Sequence, residues 1–172
     1  PMAFYCNGHN CERAFQAEVK ARQMAGVKNG HVFDGGIFDW VEANPKLTKL
    51  LDKDADPRSV ISASTFKKHL LSPEAFVDQA RPADRIIVDI RDTYESDGIS
   101  LFATRDIRTG FDKAKIREMI SAAAQRGQAV FFYDANGNRI KLLQYIIEDA
   151  GLKDYYLMEG GLTAYFRMLQ RK

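Results

Sequence analysis

Short apolar runs alternate with helical stripes along most of this chain. Residues 129–133 are apolar on both faces, as expected of a strand buried inside a parallel sheet, and residues 85–90 are predicted to form another buried strand. After such runs, apolar residues recur three and four positions apart, which predicts helices with one buried face. Gly127 and Gly151 stand where these helices would end in a left-handed cap. Alternating strands and helices predict an α/β fold, a parallel sheet with helices on both faces.

The chain also contains an internal repeat. Each copy has the order strand, loop, helix, Gly stop, strand, Gly-Gly pair and helix. At one constant separation, the first set lines up with the second: Gly26, Gly35, Gly36 and Trp40 with Gly151, Gly160, Gly161 and Tyr165. Further upstream Tyr5 and Cys6 match Tyr133 and Asp134, so the loop of the first copy is longer by three residues.

The repeat predicts how the domains are arranged. Residues 59–172 carry a full set of strands and helices and are predicted to form a complete domain. Residues 1–44 correspond to the back half of such a domain, and residues 45–58, charged and with two prolines, are predicted to be a linker. The chain starts abruptly at Pro1, which suggests a fragment of a longer protein and leaves its cellular compartment unassigned.

Composition narrows the functional classes. With 45% hydrophobic residues, 28% charged residues and a net charge of +2, the chain suits a packed core and gives no reason to propose a nucleic acid or membrane partner. No apolar run approaches the ~18 residues of a membrane span. Two cysteines are too few for a disulfide scaffold, and no second Cys/His pair lies at zinc-ligand spacing. No metal or organic cofactor is predicted.

Four motifs carry a resemblance to a known family. Residues 88–95 have an apolar strand ending in Asp-x-Arg with an acidic and aromatic sequel, and residues 158–165 read Glu-Gly-Gly-x-x-x-aromatic. Residues 33–40 repeat the second motif, and residues 4–13 contain Tyr-Cys-x-Gly before a predicted helix. In this order and spacing they resemble the rhodanese-like sulfurtransferases, of the type with tandem domains.

The resemblance implies a chemistry for Cys6. In that family the cysteine accepts a sulfane sulfur from a donor such as thiosulfate and passes it, as a persulfide, to a thiophilic acceptor. A loop between a strand and a helix start presents backbone N–H groups that favour a thiolate. Around Cys6 the anion pocket is expected to be lined by Asn7, Gly8, His9, Asn10, Cys11 and Arg13. The expected partners are a small sulfur donor and an acceptor; a protein acceptor stays open.

The second copy departs from the family at the decisive position. Asp134 stands where the cysteine is expected, and a carboxylate cannot hold a sulfane sulfur. We therefore expect a degenerate, silent site at the end of the strand, with backbone N–H groups facing the carboxylate. That site comprises Asp134, Ala135, Asn136, Gly137, Asn138 and Arg139.

Two other functions fit the same residues. A rhodanese-like domain without catalysis can serve as a binding or regulatory module. Alternatively, Cys6 and Cys11 can act as a redox pair, with Cys11 resolving an oxidised Cys6 as a disulfide. The plainest alternative is that both cysteines are structural. Asp89 and Arg91 are predicted to form an internal ion pair, and Trp40 is predicted to anchor a core.

Overall fold

The computed structural model describes residues 1–8, 12–50, 53–54, 60–96 and 98–171. It contains two compact units, unit 1 (Pro1–Val60) and unit 2 (Ile61–Lys172). Within the described ranges, none of the helices combines the length and apolar character needed to cross a bilayer. Part of the predicted linker, residues 51–52 and 55–58, lies outside the described residues, and the predicted domain limits stay predictions.

Unit 2 has the predicted α/β architecture. Its parallel sheet has the strand order β5-β9-β8-β6-β7 and is flanked by helices. The strands are β5 (Leu70–Leu71), β6 (Ile86–Asp89), β7 (Asp106–Arg108), β8 (Val130–Tyr133) and β9 (Tyr155–Met158). The helices are α3 (Ala63–Lys68), α4 (Pro73–Gln79), α5 (Thr93–Ser96), α6 (Lys113–Arg126), α7 (Ile140–Asp149) and α8 (Gly161–Leu169).

Local sequence explains where several of these elements begin and end. α4 starts at Pro73, whose fixed φ suits a first helical position, and the Ser72 hydroxyl accepts a hydrogen bond from the Ala75 amide at 3.3 Å. α6 ends at Gly127, which takes the left-handed conformation with φ of +62°. The helix end at Gly127 agrees with the sequence prediction.

The central strand of the sheet, β8, is buried. All four residues of β8 are buried, because β6 and β9 pair with its two edges. One face packs into a cluster that joins α4, β8, β9 and α8. The buried members of this cluster are Phe76, Ala80, Ile87, Ala129, Phe131, Tyr133, Met158 and Leu162. β8, which is apolar on both faces, therefore lies in the centre of the sheet, as the sequence pattern predicts.

The predicted ion pair at the end of β6 is confirmed. Arg91 Nη2 lies 2.7 Å from Asp89 Oδ2, both side chains are buried, and the guanidinium lies 5.5 Å from the centre of the Tyr133 ring. Burial alone would lower the pKa of Arg91, but the hydrogen bonds and charge of Asp89 raise it above its ordinary value. The Arg91 guanidinium also donates to the Ile99 carbonyl, so the pair ties the strand end to a loop.

Unit 1 repeats a smaller part of this arrangement. It contains β1 (Met2–Tyr5), α1 (Arg13–Ala25), β2 (Gly30–Phe33) and α2 (Gly36–Ala43), followed by a 3-10 turn (Pro45–Leu47) and the antiparallel pair β3 (Lys49–Leu50) and β4 (Lys53–Asp54). β1 and β2 are parallel, with Met2 opposite Gly30 and Tyr5 opposite Phe33. In unit 2 the equivalent residue Val130 lies opposite Tyr155, in the same register.

Unit 1 differs from the prediction in what it buries. The Trp40 side chain is 42% exposed rather than part of a core, and Met24 on α1 is 86% exposed. The reason is geometric. Among the described residues, β1 and β2 form a sheet of only two strands, and α2 covers only part of its surface.

Candidate functional site

The candidate site of unit 1 lies where β1 gives way to α1. Cys6 follows the last residue of β1 directly, and Cys6, Asn7 and Gly8 are half-buried. The Cys6 carbonyl oxygen accepts a hydrogen bond from the Ile37 amide at 2.8 Å. This bond joins the end of the first strand to the first turn of α2.

Gly36 makes that approach possible. Its φ is +66°, and a Cβ placed there would lie 2.4 Å from the Gly8 nitrogen and 2.5 Å from the Cys6 carbonyl oxygen. Any side chain would therefore collide with backbone, in a conformation that already disfavours L-residues. Gly36 is thus needed to bring α2 against the loop that carries Cys6.

The sulfur of Cys6 is in a disulfide bond in this structure. The sequence prediction concerned a thiolate, which is the species that attacks a sulfane sulfur. The two states differ by two electrons, because a disulfide sulfur is bonded to a second sulfur and becomes a thiolate only when that S–S bond is reduced. The predicted nucleophile is therefore the reduced form of the residue seen here.

The structure describes only some of the other residues that were predicted to line the pocket. Asn7 and Gly8 lie beside Cys6 on the loop, and Arg13 is exposed at the first position of α1. His9, Asn10 and Cys11 lie outside the described residues, so their predicted roles stay predictions. α1 is a 13-residue helix that begins at Arg13.

The corresponding position of unit 2 is built in the same way. Asp134 follows β8 directly, and its carbonyl oxygen accepts a hydrogen bond from the Leu162 amide at 3.0 Å. Gly161 is the counterpart of Gly36: its φ is +57°, and an added Cβ would lie 2.6 Å from the Asp134 carbonyl oxygen and the Asn136 nitrogen. Cys6 and Asp134 therefore hold equivalent places relative to strand, loop and Gly-Gly helix.

The Asp134 carboxylate is bound by its own loop. Oδ1 accepts a hydrogen bond from the Gly137 amide at 2.6 Å, and Oδ2 accepts one from the Arg139 amide at 2.9 Å. The residue is 1% exposed. These are the donors that the sequence predicts to face the carboxylate, and Gly137 has the permissive φ of +81° that the turn needs. The loop thus already holds one negative charge.

The remaining loop residues support this arrangement. Thr163 donates through its amide and its hydroxyl to the Ala135 carbonyl oxygen, both at 2.9 Å. The Asn136 side-chain oxygen accepts a hydrogen bond from the Asn138 amide at 3.2 Å. A Cβ on Gly137 would lie 3.0 Å from the Gly160 backbone, so this loop also packs directly on the Gly-Gly turn.

Two acidic partners of the loop were missed in the sequence. Asp92 pairs with the Arg139 guanidinium, whose Nη1 lies 2.9 Å from Asp92 Oδ1. Asp106 accepts hydrogen bonds from the Tyr133 hydroxyl at 2.6 Å and the Ser100 hydroxyl at 2.7 Å. Asp92 is part of the early motif, but its partner is distant in sequence and no local spacing connects the two.

The Asp106 network affects two pKa values. Burial raises the pKa of Tyr133 far above its ordinary value, and the hydrogen bond to Asp106 raises it further. Burial alone would raise the pKa of Asp106, but the hydrogen bonds from Tyr133 and Ser100 lower it below its ordinary value. At neutral pH the phenol therefore donates to an ionised carboxylate.

The fold and these loops define a parallel α/β domain in which a helix-start loop follows a central strand. Residues 72–168 match the family model of the rhodanese-like domain. The chain therefore belongs to the rhodanese-like domain family, and it carries a module of the sulfurtransferase type. No curated protein sequence matches the chain significantly.

Several solved structures are similar to parts of this chain. A rhodanese-like domain from Anabaena sp. is 17% identical, with 58% of this chain and 74% of that chain covered and a TM-score of 0.42. A protein of unknown function from Rhodopseudomonas palustris CGA009, described as a possible tyrosine phosphatase, is 21% identical, with 62% and 90% covered and a TM-score of 0.46. An NAD-dependent persulfide reductase from A. fulgidus is 16% identical, with 89% and 26% covered and a TM-score of 0.43. At these identities the likeness concerns the fold alone.

Proposed function

We propose that this protein is a sulfurtransferase that moves a sulfane sulfur from an anionic donor such as thiosulfate to a thiophilic acceptor through a Cys6 persulfide. The observation that supports this is the equivalence of Cys6 and Asp134. Each follows a strand, and each accepts a backbone hydrogen bond from the helix that starts at a Gly-Gly pair. Cys6 therefore occupies the position in unit 1 that Asp134 occupies in the loop of the rhodanese-like unit.

The reaction runs in two balanced halves. The Cys6 thiolate attacks the outer sulfur of thiosulfate; a new S–S bond forms, the S–S bond of the donor breaks, and sulfite leaves with the electron pair. A thiophile such as cyanide then attacks the outer sulfur of the persulfide and releases the Cys6 thiolate. No electrons enter or leave the protein over the cycle, so the proposal includes no redox cofactor.

The loop supplies the electrostatics for this cycle. Cys6 is an anion in both states of the cycle, first as the thiolate and then as the persulfide. The start of α1 offers backbone N–H groups and a helix dipole that favour such an anion. Asn7, Gly8, His9, Asn10 and Cys11 are proposed to line the pocket. We further propose that Arg13, which is exposed at the first turn, attracts the anionic donor.

Entry to the cycle requires reduction. A disulfide at Cys6 takes up two electrons and two protons from a thiol reductant before a thiolate can form. We therefore expect the protein to be inactive as it stands in this structure and active after treatment with dithiothreitol. The oxidised form would be a resting state of the same site.

The direct test is thiocyanate formation from thiosulfate and cyanide by the pre-reduced full chain. Cys6→Ser is expected to reduce the rate to the uncatalysed level, because serine cannot carry a sulfane sulfur. Cys11→Ser is the matched control and should keep turnover, and it should remove the need for reductant if Cys11 is the disulfide partner. A Cys6→Ser variant with the parental rate would show that the proposal is wrong.

A second function is favoured for unit 2 by a specific observation. Because the Asp134 carboxylate takes up its own loop donors, that unit suits a non-catalytic binding or regulatory module. When thiosulfate is titrated into the Cys6→Ser chain, the NMR amide shifts of residues 134–139 should not change, since that loop already holds a negative charge. Saturable binding there would instead indicate that the loop of unit 2 accepts anions.

A further inference from the structure

Unit 1 has an apolar groove that its own described residues leave open. We call it the β1 groove; it has a volume of about 350 Å³ and is lined by Ala3, Tyr5, Phe33, Ile37 and Trp40. The Tyr5 side chain is 63% exposed, and Phe33 and Trp40 are each 42% exposed. Clustered exposed aromatic residues of this kind mark a surface that binds something.

The repeat identifies the counterpart of this groove in unit 2. At the constant repeat separations, the five lining residues correspond to Phe131, Tyr133, Met158, Leu162 and Tyr165. All five belong to or pack against the buried cluster of unit 2. The same surface is therefore an open groove in one unit and the inside of a core in the other.

Unit 2 also shows what covers that surface. Phe76 of α4 lies edge-on to Phe131, with ring centres 5.4 Å apart, and edge-on to Tyr133, with ring centres 6.4 Å apart. Ile87 of β6 joins the same cluster, and β6 pairs in parallel with β8. Neither α4 nor β6 has a counterpart among the described residues of unit 1, where β1 pairs only with β2.

The backbone and the charges point to the same kind of occupant. In unit 2 the Ile90 amide donates to the Tyr133 carbonyl oxygen at 3.0 Å, and the Tyr5 carbonyl oxygen is the equivalent acceptor at the edge of β1. The segment after β6 then supplies Asp92, which pairs with Arg139 just before α7. Arg13 is exposed at the first position of α1 and places a positive charge near that helix start, whereas Glu12 holds the N-cap position that Arg139 holds in unit 2.

We propose that the β1 groove binds a helix-strand segment with the chemistry of residues 72–92. Its helix would place an aromatic side chain against Tyr5 and Trp40. Its apolar strand would extend the sheet in parallel beside β1, and its acidic end would approach Arg13. This combines strand addition, in which main-chain hydrogen bonds supply affinity, with a side-chain anchor in an apolar groove. The interaction does not depend on sulfur transfer.

Trp40 makes the proposal directly measurable, because it is the only tryptophan of the chain. A synthetic peptide of residues 72–92 contains no tryptophan and is titrated into the full chain. We expect a saturable shift of Trp40 emission to shorter wavelength, as the indole leaves water. Backbone amides of residues 2–5 should at the same time exchange more slowly, because β1 gains a neighbouring strand.

Matched variants separate this binding from non-specific adsorption. A peptide with Phe76→Asp and Ile87→Asp, and separately a chain with Ala3→Asp, should each bind at least about tenfold more weakly, since each would bury an unpaired carboxylate. A chain with Met24→Asp, which changes a residue 86% exposed on α1, should bind as the parent does.

Three outcomes would overturn the proposal. The first is no emission shift at all, and the second is the same shift with the parental and the doubly substituted peptide. The third is a shift that follows the concentration of the chain without peptide, accompanied by dimer formation in light scattering. That last result would identify a second copy as the occupant.

Discussion

Units 1 and 2 contain the same strand-helix-strand-helix frame and differ in what surrounds it. Tyr133 in β8 is completely buried, whereas Tyr5, at the equivalent place in β1, is 63% exposed. Both strands are apolar on both faces and both pair in parallel with the next strand. The difference therefore comes from neighbours, α4 and β6 in unit 2, rather than from the strand itself. Local sequence specifies that a strand forms, and its tertiary neighbours determine whether its side chains are buried in a core.

The loops that follow β1 and β8 show the reverse contrast, because the unit with the less complete sheet carries the cysteine. Unit 2, which has the complete sheet, carries a carboxylate that satisfies its own loop donors. Unit 1, which has the open groove, carries the cysteine. The complete sheet and the cysteine thus lie in different copies. Each of the following substitutions tests one side of this contrast.

The largest expected effect is at the equivalent tyrosines. Tyr133→Ala should lower the free energy of unfolding of unit 2 by about 3–5 kcal/mol, as for other large aromatic residues removed from a core. Tyr5→Ala should change the stability by less than about 0.5 kcal/mol, because that side chain is mostly in water. Urea unfolding followed by far-ultraviolet circular dichroism measures both. Equal losses would mean that the groove is closed in solution.

The next largest loss of stability is expected at the Gly-Gly pair where α8 begins. Gly161→Ala should cost about 1–2 kcal/mol for the left-handed backbone and about 1–3 kcal/mol more for the backbone collision 2.6 Å away. Gly151→Ala is the matched control, since its φ is +77° but a Cβ there meets nothing within 4 Å. Thermal unfolding of both variants should separate them. If they were equally destabilised, the close packing of α8 on the Asp134 loop would be in doubt.

Asp134→Ala should have an intermediate effect on stability. It leaves the Gly137 and Arg139 amides without their acceptor in a buried loop, which should cost about 1–3 kcal/mol. Sulfur transfer by the reduced chain should be unchanged, because the proposed chemistry belongs to Cys6. A denaturant titration and the thiocyanate assay on the same sample measure the two quantities. A large loss of turnover at unchanged stability would assign a catalytic role to unit 2.

The smallest effect is expected at the Tyr133 hydroxyl. Tyr133→Phe should cost about 1 kcal/mol at neutral pH, where the lost hydrogen bond goes to the ionised Asp106. Because that bond helps hold the folded pKa of Asp106 below its ordinary value, its stabilisation is present above the unfolded pKa and is lost as pH falls through the folded pKa. The gap between parent and variant in urea unfolding should therefore shrink toward about pH 3. A gap that grows on acidification would contradict this assignment.

Much of unit 2 could be predicted from the sequence, because its signals are local. Ser72 and Pro73 specify a helix start, Gly127 specifies a helix end, and residues 129–133 specify a buried strand, all as observed. The ion pair of Asp89 and Arg91 was accessible for the same reason, since the two are only two residues apart.

The features that could not be predicted depend on distant residues. The exposure of Trp40 follows from the absence, among the described residues of unit 1, of a layer equivalent to α4 and β6. The Asp92–Arg139 and Asp106–Tyr133 pairs join positions that only the folded sheet brings together. The sequence left a disulfide at Cys6 open as an alternative, because its formation depends on redox conditions rather than on motif spacing.

The role of Cys6 is tested most directly by locating the transferred sulfur. The full chain is reduced, freed of reductant, incubated with thiosulfate, and its N-terminal peptide is fragmented in a mass spectrometer. We predict that Cys6 gains the mass of one sulfur atom, that cyanide removes it, and that Asp134→Ala leaves both steps unchanged. A reduced chain in which Cys6 gains no sulfur, or in which the sulfur resides on Cys11 alone, would contradict the assignment of Cys6 as the sulfur carrier.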